Sequence, residues 1–191
     1  MKILTVPKLV INLPERVDRL VEFEKQLTKL FAEPTVGIVE GVRGNIVAAH
    51  KRAVKFAADR NWPEVLIMED DVKFINSPKL VEYAEAAFNE APNDFKILAG
   101  GVYGGKVKAV SKYWNEVTNF AGAHFLVYKS EVYNDILNFD FGTKQYDRAL
   151  SLICKVGVLN KFIAIQNNGY SDHRKKIVND DHYLNGFELL N

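Results

Sequence analysis

The chain has 191 residues, a formal net charge of +1, and 48% hydrophobic and 26% charged side chains. These proportions exclude a disordered chain, a collagen and a bundle of membrane spans, and the near-zero charge gives no whole-molecule field toward nucleic acid or anionic lipid. The single cysteine, Cys154, excludes an internal disulfide and a cysteine-built zinc site, which fits a reducing compartment.

Met1–Val6 is apolar, but Pro7 and Lys8 interrupt it before a signal-peptide core can form, so a cytosolic protein is expected. Leu9-Val10-Ile11 reads as a buried strand, and Pro14 sits where a first helical turn tolerates it. Val17, Leu20, Phe23, Leu27, Leu30 and Phe31 recur at helical spacing through 15–32. Residues 36–39 read as a second strand, and Asn45 can cap a helix whose Ile46, His50, Ala53, Val54 and Ala57 share one face. Val65–Met68 is a third buried strand, with Glu69-Asp70-Asp71 at its carboxyl end. A helix follows Ser77-Pro78, then a strand over 95–99. This alternation predicts an α/β fold: a single domain with a Rossmann-like, mostly parallel sheet and helices on both faces. Beyond Gly100 the pattern loosens. Strands are expected at 106–110 and 117–128, helices at 130–137 and 146–153, and a last strand at 161–165; residues 166–191 are weakly patterned.

The acidic triplet is the first chemical signal. Ligands of open α/β sheets bind outside the carboxyl ends of strands, and acids there can hold a hard cation through oxygen. Strand alternation would send Glu69 and Asp71 to one side and Asp70 to the other; a solvated turn or a helix cap accounts for the triplet equally. Asn12-Leu13-Pro14-Glu15-Arg16-Val17-Asp18-Arg19 follows the first strand. Its arginines can pair with phosphate, or Glu15 and Arg19 can form a helical i,i+4 pair. His50 lies on an apolar helix face, as a core histidine or a substrate contact. His124 follows Gly122-Ala123, small residues that let a ligand approach the backbone. Asp147, at a helix start, suits either the positive end of the helix dipole or a general base. His173 opens a basic run and could be a third metal ligand. Cys154 reads as core. Dinucleotide, P-loop and nucleophile-elbow motifs are absent from the sequence.

The order of these motifs resembles family 25 type glycosyltransferases, the lipopolysaccharide-modifying and collagen galactosyltransferase group, over roughly residues 9–173. Ile11–Arg19 is similar to the family's I-N-L-x-x-R-x-D-R. Met68-Glu69-Asp70-Asp71 matches L-E-D-D with Met for Leu, and Ala49-His50 matches S-H without the serine. Gly122–Leu126, Asp147-Arg148-Ala149-Leu150 and Gln166…Ser171-Asp172 are similar to the later motifs. The resemblance implies a GT-A fold, with a nucleotide-sugar-binding half over about 1–100 and an acceptor-binding half over about 101–191. It implies a metal-dependent, inverting glycosyltransferase that uses a nucleoside-diphosphate sugar, UDP-sugar foremost. Glu69, Asp71 and His173 would hold Mn²⁺ or Mg²⁺; Asn12, Arg16, Arg19, His50, Glu69 and Asp70 would hold the donor; Asp147 would be the base. The acceptor, near Tyr103, Trp114 and His124, would be a glycan or lipopolysaccharide.

Within the same chemistry, Tyr103, Lys106, Lys108, Lys112, Tyr113 and Trp114 form a stretch without an acid. Basic residues interleaved with aromatics suit DNA carrying a hydroxylated pyrimidine, as phages modify, and the location would then be the host cytoplasm. A catalytically inactive binding domain and a nucleotidyltransferase are the readings of another class.

Overall fold

The computed structural model describes residues 1–32, 35–171, 176–179, 184 and 187–191. The first half alternates strands and helices: β1 (Lys8–Asn12), α1 (Val17–Leu27), β2 (Gly37–Glu40), α2 (Ile46–Asp59), β3 (Glu64–Glu69), β4 (Val72–Phe74), α3 (Leu80–Asn89) and β5 (Ile97–Ala99). The second half holds β6 (Lys106–Ala109), β7 (Trp114–Thr118), β8 (Phe125–Lys129), α4 (Tyr133–Asn138), α5 (Tyr146–Ile153) and β9 (Val156–Leu159). Short strands follow: β10 (Lys161–Phe162), β11 (Ala164–Gln166), β12 (Gly169–Ser171), β13 (Lys176–Val178) and β14 (Glu188–Leu189).

Eight strands form one mixed, mostly parallel sheet in the order β2-β1-β3-β8-β5-β9-β7-β6. Pairing is parallel between β1 and β2, β1 and β3, and β5 and β9. Only β8 and β7 run against the others in this sheet. Helices cover both faces, so the central strands are apolar throughout rather than alternating. Successive residues nonetheless divide between two cores. Leu9, Val65, Ile67, Ile97 and Leu126 pack with Ala53, Val54 and Ala57 of α2, Ile136 of α4 and Leu150 of α5. Val10, Leu66, Met68, Leu98 and Val127 pack with Phe23 and Leu27 of α1 and Ala84 and Phe88 of α3. The carboxyl ends of β1, β2, β3, β5 and β9 therefore lie along one edge of the sheet, and Glu69-Asp70-Asp71 sit at that edge.

Three expectations about elements need correction. α1 ends at Leu27; Leu30 and Phe31 are buried from a turn beyond it, which extends the apparent periodicity. Phe23 and Leu27 set its buried face, and Val17, expected inward, is 62% exposed. The strand expected over 117–128 is two strands, β7 and β8, because Asn119 (φ 51°) and Gly122 (φ 102°) turn the chain between them. β9, in the middle of the sheet, was not expected at all. No helix among the described residues is long and apolar enough to cross a membrane.

Candidate active site

A cleft of about 840 Å³ opens outside the carboxyl ends of β1, β2 and β3. Its walls come from the segment Gly41–Val47, the glycine pair Gly104-Gly105, Ala121–Ala123, the start of α5 and Gln166. Arg19, Glu69, Asp70, Asp71 and Asp147 all line it. The sheet brings together residues separated by over a hundred positions because β1, β3 and the α5 entry open on the same edge.

Alternation along β3 places Glu69 on the α2 face, where its Oε1 lies 3.2 Å from Nε2 of His50. Asp70 turns to the α1 face, and Arg19 donates to its Oδ1 at 2.9 Å. The strand ends at Glu69, so Asp71 does not simply rejoin Glu69's side as expected. Its Oδ2 accepts from Gln166 Nε2 at 2.9 Å and lies 3.6 Å from Arg19 Nη1. Its Oδ1 is buried with no hydrogen-bond partner among the described residues. The Asp71 carbonyl also accepts from the Asn167 N–H at 2.6 Å, which ties β3's exit to the segment after β11.

This clustering makes the acids reluctant to ionise. Burial raises Glu69 to about 8, reinforced by the charges of Asp147 and Asp70. Burial and then Glu69 raise Asp71 to about 7, against the pull of Arg19 and Gln166. Asp70 is raised to about 6 by burial and Asp71, again against Arg19. Arg19, with Arg16 acting on Asp70 as well, does not offset the burial and mutual repulsion of these carboxylates, so the cleft floor is a place where a cation would be stabilised.

Asp147 sits in the first turn of α5. Its Oδ2 accepts the Gly122 N–H at 2.7 Å and its Oδ1 the Arg148 N–H at 2.8 Å. It thus fastens the turn between β7 and β8 to α5. Gly122 is required there: its φ is 102°, and a Cβ would come within 3.1 Å of the Tyr103 ring and 3.2 Å of His124 Nδ1.

The remaining expected residues divide. His50 belongs to the cleft lining but has no exposed side-chain surface, and its Nε2 faces Glu69. Asn12 is 5% exposed, its Nδ2 donating to the Leu13 carbonyl, and Arg16 pairs with Asp18 at 2.9 Å; neither lines the cleft. Tyr103 is buried at the cleft wall, where its hydroxyl accepts from the Gln166 N–H at 2.7 Å. It braces β11 rather than presenting a stacking face. His124 is buried, with Nε2 3.3 Å from the Ala164 carbonyl and its basicity lowered to about 4 by burial. Trp114 is wholly buried and its indole N–H donates to the Ala87 carbonyl at 2.8 Å. An acceptor therefore cannot pack on Trp114 or His124 as expected. His173 lies outside the described residues. Gln166 was noted only as part of a motif, although it holds Asp71, and the Gly104-Gly105 wall was not expected. The run Gly100-Gly101-Val102-Tyr103-Gly104-Gly105 was the available signal.

Among the described residues, no group of three His, Cys, Asp or Glu side chains converges to hold a metal ion. The donor set still fits a hard cation in part. Asp71 offers a bare buried oxygen, and such cations are commonly bound by one or two carboxylates with substrate phosphate oxygens completing the shell.

No protein-family model matches the chain, and no curated protein sequence matches it. Solved structures do. A197 from STIV is similar with a TM-score of 0.54 at 16% identity, covering 94% of this chain and 95% of that one. A glycosyltransferase involved in the glycosylation of the major capsid of PBCV-1 gives 0.53 at 11% identity, covering 93% and 98%. UDP-glucose pyrophosphorylase complexed with UDP-glucose gives 0.50 at 6% identity, covering 84% and 74%. At these identities the likeness is one of fold. The chain has the α/β fold of these structures, with an acidic cleft at the carboxyl edge of its sheet.

Proposed function

We propose that the protein is a metal-dependent glycosyltransferase that moves a sugar from a nucleoside-diphosphate sugar to an acceptor hydroxyl. The observation that carries this reading is Asp71, whose Oδ2 is held by Gln166 and whose Oδ1 is buried and bare, at the carboxyl edge of the sheet. Asp71 and Glu69 would hold Mn²⁺ or Mg²⁺, which when bound neutralises the departing diphosphate. Arg19 keeps Asp70 and Asp71 in place and adds positive charge beside the phosphates. The Gly41–Val47 wall, which leads from β2 into α2, receives the nucleoside. The front half of the chain, to about residue 100, thus serves the donor, and the back half serves the acceptor.

Asp147 takes the acceptor's proton. The acceptor oxygen bonds to the anomeric carbon, the bond from that carbon to the diphosphate oxygen breaks, and the proton ends on the carboxylate. Attack opposite the leaving group inverts the anomeric centre. A glycan suits the acceptor side better than DNA. Burial of Trp114 removes one stacking ring, and Lys108 on edge strand β6 lies opposite Glu116. Tyr83 and Tyr113, half-buried and edge to face at 5.5 Å, stand with Phe187 beside a second hollow of about 680 Å³.

A nucleotidyltransferase is the second reading, supported by the similarity to UDP-glucose pyrophosphorylase. A thermal-shift screen of nucleotide sugars with and without Mn²⁺ tests both, since a ligand at 100 times its Kd stabilises by about 2.7 kcal/mol. A Mn²⁺-dependent shift with a UDP-sugar supports the transferase. A shift with UTP, accompanied by pyrophosphate release when a sugar 1-phosphate is added, supports the second reading.

A further inference from the structure

Behind the acidic cleft lies a polar chain for which the reading above has no task. His50 of α2 lies at the cleft floor with no exposed side-chain surface, behind Glu69. Its Nε2 is 3.2 Å from Glu69 Oε1. Its ring stacks on Tyr146, centroids 4.4 Å apart at 26°. The Tyr146 hydroxyl meets the Tyr128 hydroxyl at 3.1 Å, and Tyr146 directly precedes Asp147. One imidazole thus connects β3, which carries Glu69, to the start of α5, which carries Asp147.

The same ring is a poor core filler. With Glu69 ionised, as it would be beside a bound cation, its oxygen accepts, Nε2 carries the proton and Nδ1 is left as an acceptor. Nδ1 is buried and has no hydrogen-bond partner among the described residues. A buried acceptor without a partner costs stability, and a phenyl ring of similar shape would not carry that cost. Glu69, in turn, has three rotatable side-chain bonds and faces the charges of Asp70 and Asp147. Without a donor behind it, repulsion would turn the carboxyl away from them.

We infer that His50 is a positioning residue: it fixes the Glu69 carboxyl in the cleft by donating from Nε2 and, through its stack on Tyr146, sets that carboxyl against Asp147. The inference rests on the proposed reading of the cleft as the donor and cation site. Positioning residues behind metal-binding side chains commonly change metal affinity about 10–100-fold when replaced.

Three variants test it. His50→Phe keeps shape and stacking and removes the donor. His50→Gln places an amide N–H the same number of bonds from Cα as Nε2. Glu69→Gln removes the acceptor charge. Calorimetry measures UDP affinity with Mn²⁺, and calorimetric melting measures Tm. His50→Phe is expected to lose tenfold or more in Mn²⁺-dependent UDP affinity while its Tm equals or exceeds that of the parent, and His50→Gln is expected to recover most of the affinity. A purely structural role would instead lower Tm in both and leave affinity alone. Unchanged affinity in His50→Phe, or equal loss in both variants, overturns the inference. Long-range ¹H–¹⁵N spectra of the unliganded protein give an independent readout. They are expected to show His50 neutral with its proton on Nε2 at pH 9, where Glu69 is ionised, with signals that move in Glu69→Gln. A proton on Nδ1, or signals indifferent to Glu69→Gln, overturns it as well. If the parent protein shows no Mn²⁺-dependent UDP affinity, the donor-site reading fails, and the spectra alone decide whether His50 holds Glu69.

Discussion

Glu69 and Asp71 carry the clearest pH signature in the molecule. Their folded-state proton affinities lie above those of free carboxylates, at about 8 and about 7. The folded state therefore binds more protons than the unfolded one, and stability is lost as pH rises through these values. His50 and His124 act in the opposite sense. Burial lowers them to about 3 and about 4, so they oppose folding only as pH falls below their ordinary value near 6.5. Above pH 6.5 the acids alone decide the slope. The metal-free protein should lose Tm between pH 6.5 and 8.5, Glu69→Gln should flatten that loss, and Mn²⁺ at pH 8 should restore it. A Tm rising across that interval in scanning calorimetry would contradict this account. Asp147 yields a second prediction at the same scale. It accepts two backbone N–H groups, so Asp147→Asn turns an NH₂ toward one of them and should cost about 1–3 kcal/mol of stability. Chemical denaturation measures that cost. Turnover should fall with donor affinity kept, because a base acts mainly in the transition state. Normal turnover would remove Asp147 from the mechanism.

At the scale of elements, the helices and longer strands of the first hundred residues were legible from their apolar spacing and punctuation, whereas the three-residue β4 was not. Asn45 is the clearest case: its side chain accepts from the Ala48 N–H at 2.9 Å and begins α2. Asn45→Ala should lower stability by about 1 kcal/mol, read by chemical denaturation. β9 was illegible because Gly157 stands in its middle, and an isolated glycine weakens a strand signal. The reason is tertiary: a Cβ at Gly157 would come within 2.4 Å of the Phe95 ring. Gly157→Ala should therefore destabilise strongly, since neither β5's flank nor β9 can move without opening the sheet. A variant as stable as the parent would show that the packing there is looser than the structure has it. The break between β7 and β8 was hidden for a related reason. The apolar run continues through Phe120, which stays buried while Asn119 and Gly122 turn the backbone.

At the scale of the whole molecule, alternation of strand and helix predicted a mostly parallel sheet with helices on both faces, and the structure has one. The antiparallel insertion of β8 between β3 and β5 could not be read locally, because strand order is a property of long-range pairing. The site was legible where a residue type and a strand end coincide, as at Glu69-Asp70-Asp71. It was not legible where a side chain's burial decides its role, as for Trp114, His124 and Tyr103, whose polar atoms are directed to backbone partners inside the fold. On the proposed reading, the acceptor would lie at the second hollow. Tyr113→Ala should raise KM for a glycan acceptor and leave donor KM unchanged, whereas equal KM values for the acceptor would dissociate the second hollow from the reaction. The central claim is that the acidic cleft holds a nucleoside diphosphate together with a divalent cation. Calorimetric titration of UDP into the parent protein and into Asp71→Asn, each with and without Mn²⁺, tests it directly. Mn²⁺ should tighten UDP binding in the parent and fail to do so in Asp71→Asn; equal Mn²⁺ enhancement in both proteins would contradict the account.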